Sequence, residues 1–206
     1  KSECPSGVDV AKLKMEFLQH YYDHYGVPLR SRAVAMQPRL YRLAVMIPHI
    51  SNFFFKNKLF SKIIQKTISF STERNIPLMS TVNLKKQVRK IAEKQPQSPK
   101  KTIYLFIDEF SRYLDTHIAV DAVSLFTKLG YEVRLAKSKE SARTWLSKGL
   151  VRKAKKIANA NIEMLGDIIS DKTQLVGIEP SAILAFRDEY PDLASEANRA
   201  KAENLA

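Results

Sequence analysis

Residues able to carry acid–base or ionic chemistry gather at three points in the second half of the chain. Asp108 and Glu109 follow one apolar run, Glu140, Ser141, Arg143 and Lys148 follow a second, and Glu179 and Ser181 follow a third, with Arg187 and Asp188 behind them. Carboxylates serve as general acids or bases when their surroundings tune them. Arg143 and Lys148 suit an anionic partner, above all a carboxylate. Ser181 has no evident histidine to activate it, so a Ser-His-Asp nucleophile is not supported.

The elements beneath these residues give them a common address. Residues 174–191, QLVGIEPSAILAFRDEYP, read as a strand, a sharp turn and a helix. Proline suits the first helical position because its missing N–H would be unpaired there anyway. The helix is expected to stop by Tyr190, since Pro191 disfavours helical backbone in the residue before it. From Thr102 the chain alternates: a strand at 103–107, a helix at 115–129 closed by Gly130, a strand at 131–136, one or two helices across 141–170 with Gly149 between them, and a strand at 175–178. This predicts an α/β fold, a parallel sheet of βαβ units with helices on both faces. Parallel strands bring their carboxyl ends to one rim, so the three polar groups are expected to be neighbours.

The first half reads differently. Apolar residues at helical spacing in 8–25, then in 30–47 and 51–70 with breaks near Pro38 and Pro48, and in 83–93, predict a mostly helical segment. Residues 1–101 hold 19 Lys/Arg against 6 Asp/Glu, whereas 102–206 hold 15 of each, so the net charge of +13 lies wholly in the first half. The boundary is expected in the proline-containing stretch 94–101. Phenylalanines and lysines interleave in 53–62, as on a helix that lies against anionic lipid or an acidic domain, or that packs its aromatics inward. No recognisable nucleic-acid motif accompanies them, so nucleic acid is not the expected partner. His20 and His24 stand one helical turn apart without a third ligand and read as a surface pair.

With 206 residues and 45% apolar content the chain can fill one large or two small cores. It has neither the roughly 20-residue apolar run of a membrane span nor a secretory signal, and is expected to be soluble and cytoplasmic. Cys4 is the single cysteine, so no internal disulfide framework exists.

Three phrases carry a resemblance. Residues 174–191 resemble the EPS-Cys-to-RDEYP segment in the cysteine-rich, CCG-type domain of FAD-linked iron-sulfur oxidoreductases, the family of the glycolate oxidase iron-sulfur subunit and of fused D-lactate dehydrogenase-like proteins. Residues 140–150, ESARTWLSKGL, are similar to that family's CCGR-to-SKGL phrase. Where the family has cysteines, this chain has Ala182, and Glu140 and Ser141, with Ala142 in the place of the glycine. A third phrase, CPSGVDVAKLK at 4–14, is similar to the close of the family's ferredoxin-like module.

The resemblance implies a fragment of a larger enzyme: 1–25 as the tail of the ferredoxin-like module and the following helix, 26–101 as a basic helical connector, and 102–206 as a cysteine-rich-type α/β domain without its cluster cysteines. It implies FAD and 4Fe-4S clusters in the parent chain, with Cys4 a cluster ligand there and no cofactor in the fragment. Its expected role is scaffold and docking surface for the flavin and ferredoxin-like domains of a 2-hydroxy acid dehydrogenase or oxidase of the D-lactate or glycolate type, with a peripheral contact to the inner membrane as an extension. A non-enzymatic basic binding module contacting nucleic acid or a membrane surface is the alternative. Cluster-binding relatives place thiolates near Glu109, Glu140, Ser141 and Ala182, so Glu109, Ala182 and either Ser141 or Glu140 are expected to lie within about 10 Å of one another. The rim charges, having lost those thiolates, are read as a network that fixes the loops.

Overall fold

A computed structural model of the chain describes residues 7–206. Cys4, and with it the cluster-ligand reading, lies outside the described residues.

Among the described residues six helices precede the sheet: α1 (Val10–Tyr25), α2 (Leu29–Ala35), α3 (Gln37–Ala44), α4 (Pro48–Lys56), α5 (Lys58–Thr67) and α6 (Leu84–Ala92). Asp9 caps α1 by accepting from the Lys12 amide at 3.2 Å, and Gly26 closes it at φ 78°. Pro38 and Pro48 each sit in the first turn of a helix, where no intrahelical N–H is lost. The continuous helix expected over 51–70 is divided instead at Asn57. Its backbone is extended and its side chain accepts from the amides of Leu59 and Phe60 at 3.0 and 3.1 Å, starting α5 afresh.

The second half contains β1 (Thr102–Phe106), α7 (Glu109–Tyr113), α8 (Thr116–Lys128), β2 (Glu132–Leu135), α9 (Arg143–Ser147), α10 (Val151–Leu165), β3 (Thr173–Gly177), α11 (Pro180–Asp188), α12 (Tyr190–Leu193) and α13 (Arg199–Leu205). The strands form one parallel sheet in the order β2-β1-β3. Leu105 aligns with Leu135 on one side and Val176 on the other. The pleat of β1 sends Ile103 and Leu105, with Ile107 just beyond the strand, to a core shared with Ala119 and Val123 of α8 and with Leu84, Val88 and Ile91 of α6. Phe106 joins the opposite core, beneath α9 to α13, where it meets Phe186 edge-on at 5.0 Å. Helices thus cover both faces, and each fully buried Leu, Ile or Phe contributes roughly 1.5–3 kcal/mol.

The helical half is attached to these cores, not suspended beside them. Ala35 of α2 is fully buried in the second core, and its carbonyl accepts from Thr144 Oγ1 at 3.1 Å. Gly149, at φ 69°, lies so close to α1 that an added Cβ would stand 2.3 Å from Leu18 Cβ. The apolar residues of α1 are divided between two sides. Met15 and Tyr22 pack inward, while Val10, Leu13, Phe17, Tyr21 and Tyr25 face outward uncovered.

Candidate functional site

The rim residues are built from the strand ends upward. Asp108 follows β1 and caps α7: its Oδ1 accepts from the Phe110 and Ser111 amides at 2.8 and 3.0 Å. Asp108 is almost wholly buried, and its Oδ2 has no partner among the described residues. Glu109 opens α7 and is 3% exposed. Both its oxygens are taken by one residue, Ser141, whose hydroxyl donates to Oε1 at 2.8 Å and whose amide donates to Oε2 at 2.9 Å. Burial pushes the Glu109 carboxyl above the ordinary carboxylate value, and the Ser141 bonds oppose that rise.

The loop that carries Glu140 and Ser141 is pinned from below by two residues that sequence reasoning gave no role. Asn161 of α10 accepts from the Lys139 amide at 2.7 Å and donates to the Glu140 carbonyl at 3.0 Å and to the Tyr190 hydroxyl at 2.8 Å. Tyr190, with no exposed surface, donates in turn to the Ser141 carbonyl at 3.2 Å. Burial, more than any neighbour, drives the phenol's pKa far upward, so it acts as a fixed neutral donor. The Glu140 side chain accepts from Trp145 Nε1 at 2.8 Å and faces Arg39 at 3.7 Å, while the Arg39 guanidinium lies 5.1 Å from the centre of the Trp145 ring. Ala142 is wholly buried with left-handed backbone, φ 66°, at the start of α9. Such backbone costs a non-glycine residue about 1–2 kcal/mol, and the pinned loop holds it there.

The other predicted residues also make contacts of their own. Arg143 turns to Glu189 at 2.7 Å, whose carboxyl burial pushes up against the pull of Arg143. Glu179 is self-contained as the cap of α11, accepting from the Ser181 amide and hydroxyl at 3.2 and 2.5 Å and from the Ala182 amide at 2.6 Å. Lys148 ends α9 and forms no ion pair among the described residues. Arg187 and Asp188 pair with each other at 2.9 Å on the surface, at the far end of α11 from Glu179. Glu109, Ser141 and the Glu140 backbone therefore form one unit. Ala182 is buried in the same apolar cluster as Ala142, Trp145 and Phe186. A tyrosine in RDEYP and an asparagine in the middle of an apolar helix face were the available signals for the partners that were missed, since buried polar groups require each other.

These residues do not fit an iron-sulfur cluster. Soft thiolates are required, whereas both Glu109 oxygens are engaged by Ser141, Glu140 by Trp145, and Ala182 offers no donor atom. Among the described residues no group of three or more His, Cys, Asp or Glu is placed to hold a metal ion. Nor is any helix among them long and apolar enough to cross a membrane.

Fold and rim together define a parallel α/β unit in which hydrogen bonds tie the loop after β2 to α7 and to Tyr190. Its relatives are dehydrogenases. The chain is similar to D-2-hydroxyglutarate dehydrogenase of Escherichia coli, at 27% identity over 92% of this chain and 19% of that protein. It matches the proteins of the same name from Haemophilus influenzae at 27% identity over 95% of this chain and 20% of that one, and from Pseudomonas putida at 24% over 91% and 19%. The chain thus spans about a fifth of the length of the curated relatives it matches. No family model matches it, and no solved structure is significantly similar.

Proposed function

We propose that this chain is a scaffold and docking unit of a longer flavin- and iron-sulfur-dependent oxidoreductase that oxidises a 2-hydroxy acid of the D-2-hydroxyglutarate, D-lactate or glycolate type, the redox chemistry residing in other parts of that protein. The observation that carries this reading is the similarity, over nearly the whole chain, to D-2-hydroxyglutarate dehydrogenases of about five times its length. The surface supports a docking role. Val10, Phe17 and Tyr25 form an uncovered apolar stripe along α1, and unpartnered stripes of this kind mark interaction sites. The rim supports a scaffold role, because both Glu109 oxygens are engaged by Ser141, which ties the loop after β2 to α7.

The test is to isolate the natural protein that carries this sequence and measure bound flavin, iron and dye reduction driven by D-2-hydroxyglutarate, D-lactate and glycolate. Flavin and reduction by one of these acids are expected, as is slower hydrogen exchange across 10–25 than in the 206-residue chain alone. Absence of both flavin and 2-hydroxy acid oxidation would overturn the reading.

One observation favours a second reading, contact with an anionic lipid surface. Phe53 and Leu59 are 68% and 73% exposed on α4 and α5, among Lys56, Lys58 and Lys62. Co-sedimentation with phosphatidylserine vesicles but not with phosphatidylcholine vesicles, lost on raising the salt, is its expected signature.

A further inference from the structure

A cleft of about 500 Å³ opens beside the rim, walled by α3, α7, the loop after β2 and α10. We infer that this cleft binds a small dianionic oxyanion, a dicarboxylate or a phosphate. The volume lies in the range of small-ligand sites, and the position, at the carboxyl ends of parallel strands, is where open α/β sheets take ligands.

Charge makes the choice of ligand. Arg39 and Arg42 lie three residues apart on one side of α3, and Arg112 of α7, Lys139 of the loop and Lys156 of α10 bring the lining cations to five. Two carboxylates also line the cleft, Glu109 and Glu140, and both are engaged, by Ser141 and by Trp145 with Arg39. Arg42, Lys139 and Lys156 have no ion-pair partner among the described residues, and the one side-chain hydrogen bond of Arg112 is to the Ile107 carbonyl at 3.3 Å. Counting every lining charge, five cations against two carboxylates leave +3. A concave wall of net positive charge focuses the field and repels a metal cation, so the site that lacks thiolates is also electrostatically unsuited to iron.

Neutral donors complete the site. Ser138 Oγ is shielded from solvent, lines the cleft and has no hydrogen-bond partner among the described residues. A buried hydroxyl left unpaired signals a missing partner. Tyr113 lines the same cleft, and burial raises its phenol above the ordinary value, so it remains protonated and able to donate. Guanidinium forks match carboxylate and phosphate oxygens alike. A monoanion would leave most of the charge uncompensated, whereas a compact dianion matches it within a space of this size. The inference stands apart from the oxidoreductase reading, since it uses only this cleft.

Calorimetric titration of the chain at low salt with D-2-hydroxyglutarate, succinate, inorganic phosphate and acetate tests it. Saturable one-to-one binding of a dicarboxylate, of phosphate or of both is expected, and the pattern tells which source the site prefers. Acetate should bind at least about tenfold more weakly, as should the dianions to an Arg42→Ala/Lys156→Ala variant, because a lost charge-assisted hydrogen bond is worth at least about that factor. Arg42→Gln alone, at an exposed position that leaves the core intact, should show the same direction if the double variant unfolds. Lys85→Ala/Lys86→Ala, on α6 outside the cleft, should bind as the unmodified chain does. No saturable binding, acetate as tight as the dianions, unchanged affinity in the cleft variants, or an equal loss in the α6 variant would each overturn the proposal.

Discussion

At the scale of single residues, Tyr190 and Glu109 hold the rim by different means. Tyr190 supplies a buried hydroxyl whose removal leaves the Ser141 carbonyl short of a donor and releases one arm of Asn161. Tyr190→Phe keeps the ring packed on Phe186 at 4.4 Å and should cost about 1–3 kcal/mol, read as a lower denaturant midpoint at unchanged slope. A midpoint equal to that of the unmodified protein would show that the hydroxyl pins nothing. For Glu109 the expectation concerns pH. Burial raises its folded-state pKa, so between the ordinary carboxylate value near ~4.3 and the raised value the folded state holds more proton than the unfolded state. Its contribution to stability is therefore fully present below the ordinary value and falls as pH rises through the folded one. Glu109→Gln retains an acceptor for Ser141 and removes the titration. Unfolding curves across this window should lose that part of the decline in the variant, and identical pH profiles would refute the assignment.

At the scale of elements, what was legible in the sequence is punctuation. Strand, Glu179-Pro180 and helix could be read in 174–191 because proline at a helix start and an acceptor before it leave local marks, and α11 does begin at Pro180. The rim was legible for a similar reason, since parallel strands must end together whatever their side chains. The break at Asn57 was hidden: apolar spacing runs through it, and only the side chain's turn back to two amides shows that it is a cap. The Asn161–Tyr190 link was not legible at all, because 29 residues separate partners that only packing brings together. Gly177 illustrates an intermediate case, a glycine whose role is tertiary. A Cβ there would stand 2.4 Å from Ile183 Cβ, so α11 packs on β3 only because the side chain is absent. Gly177→Ala should destabilise by about 1–3 kcal/mol, and Ile183→Gly, which removes that Cβ, should relieve part of the loss, making the double variant more stable than the sum of the single effects requires. Strict additivity in thermal or denaturant unfolding would mean that the two residues do not press on one another.

At the scale of the molecule, the excess charge and the least buried helices both lie in the first half. The first 101 residues carry the whole +13, while the second part is balanced. The first part is also the less buried: α4 has no buried residue and α5 has only Ser61 and Gln65, whereas Leu105 of β1 is wholly buried. Elements with few buried groups open locally at low free energy. Amides of 48–67 should therefore exchange with deuterium at least about tenfold faster than those of 102–106. Salt then separates two accounts of what holds the basic half in place. If ion pairs such as the bidentate Arg152–Asp23 contact at 2.7 and 2.6 Å dominate, screening should loosen the helices. If self-repulsion among the excess cations dominates, screening should tighten them, because the Debye length shrinks to about 10 Å near 0.1 M. The Arg152–Asp23 pair is exposed on the arginine side, and exposed pairs contribute little. Repulsion is accordingly expected to win: raising the salt from about 50 to 200 mM should slow exchange across 37–67 while leaving 102–106 unchanged, and faster exchange across 37–67 at the higher salt would reverse the conclusion.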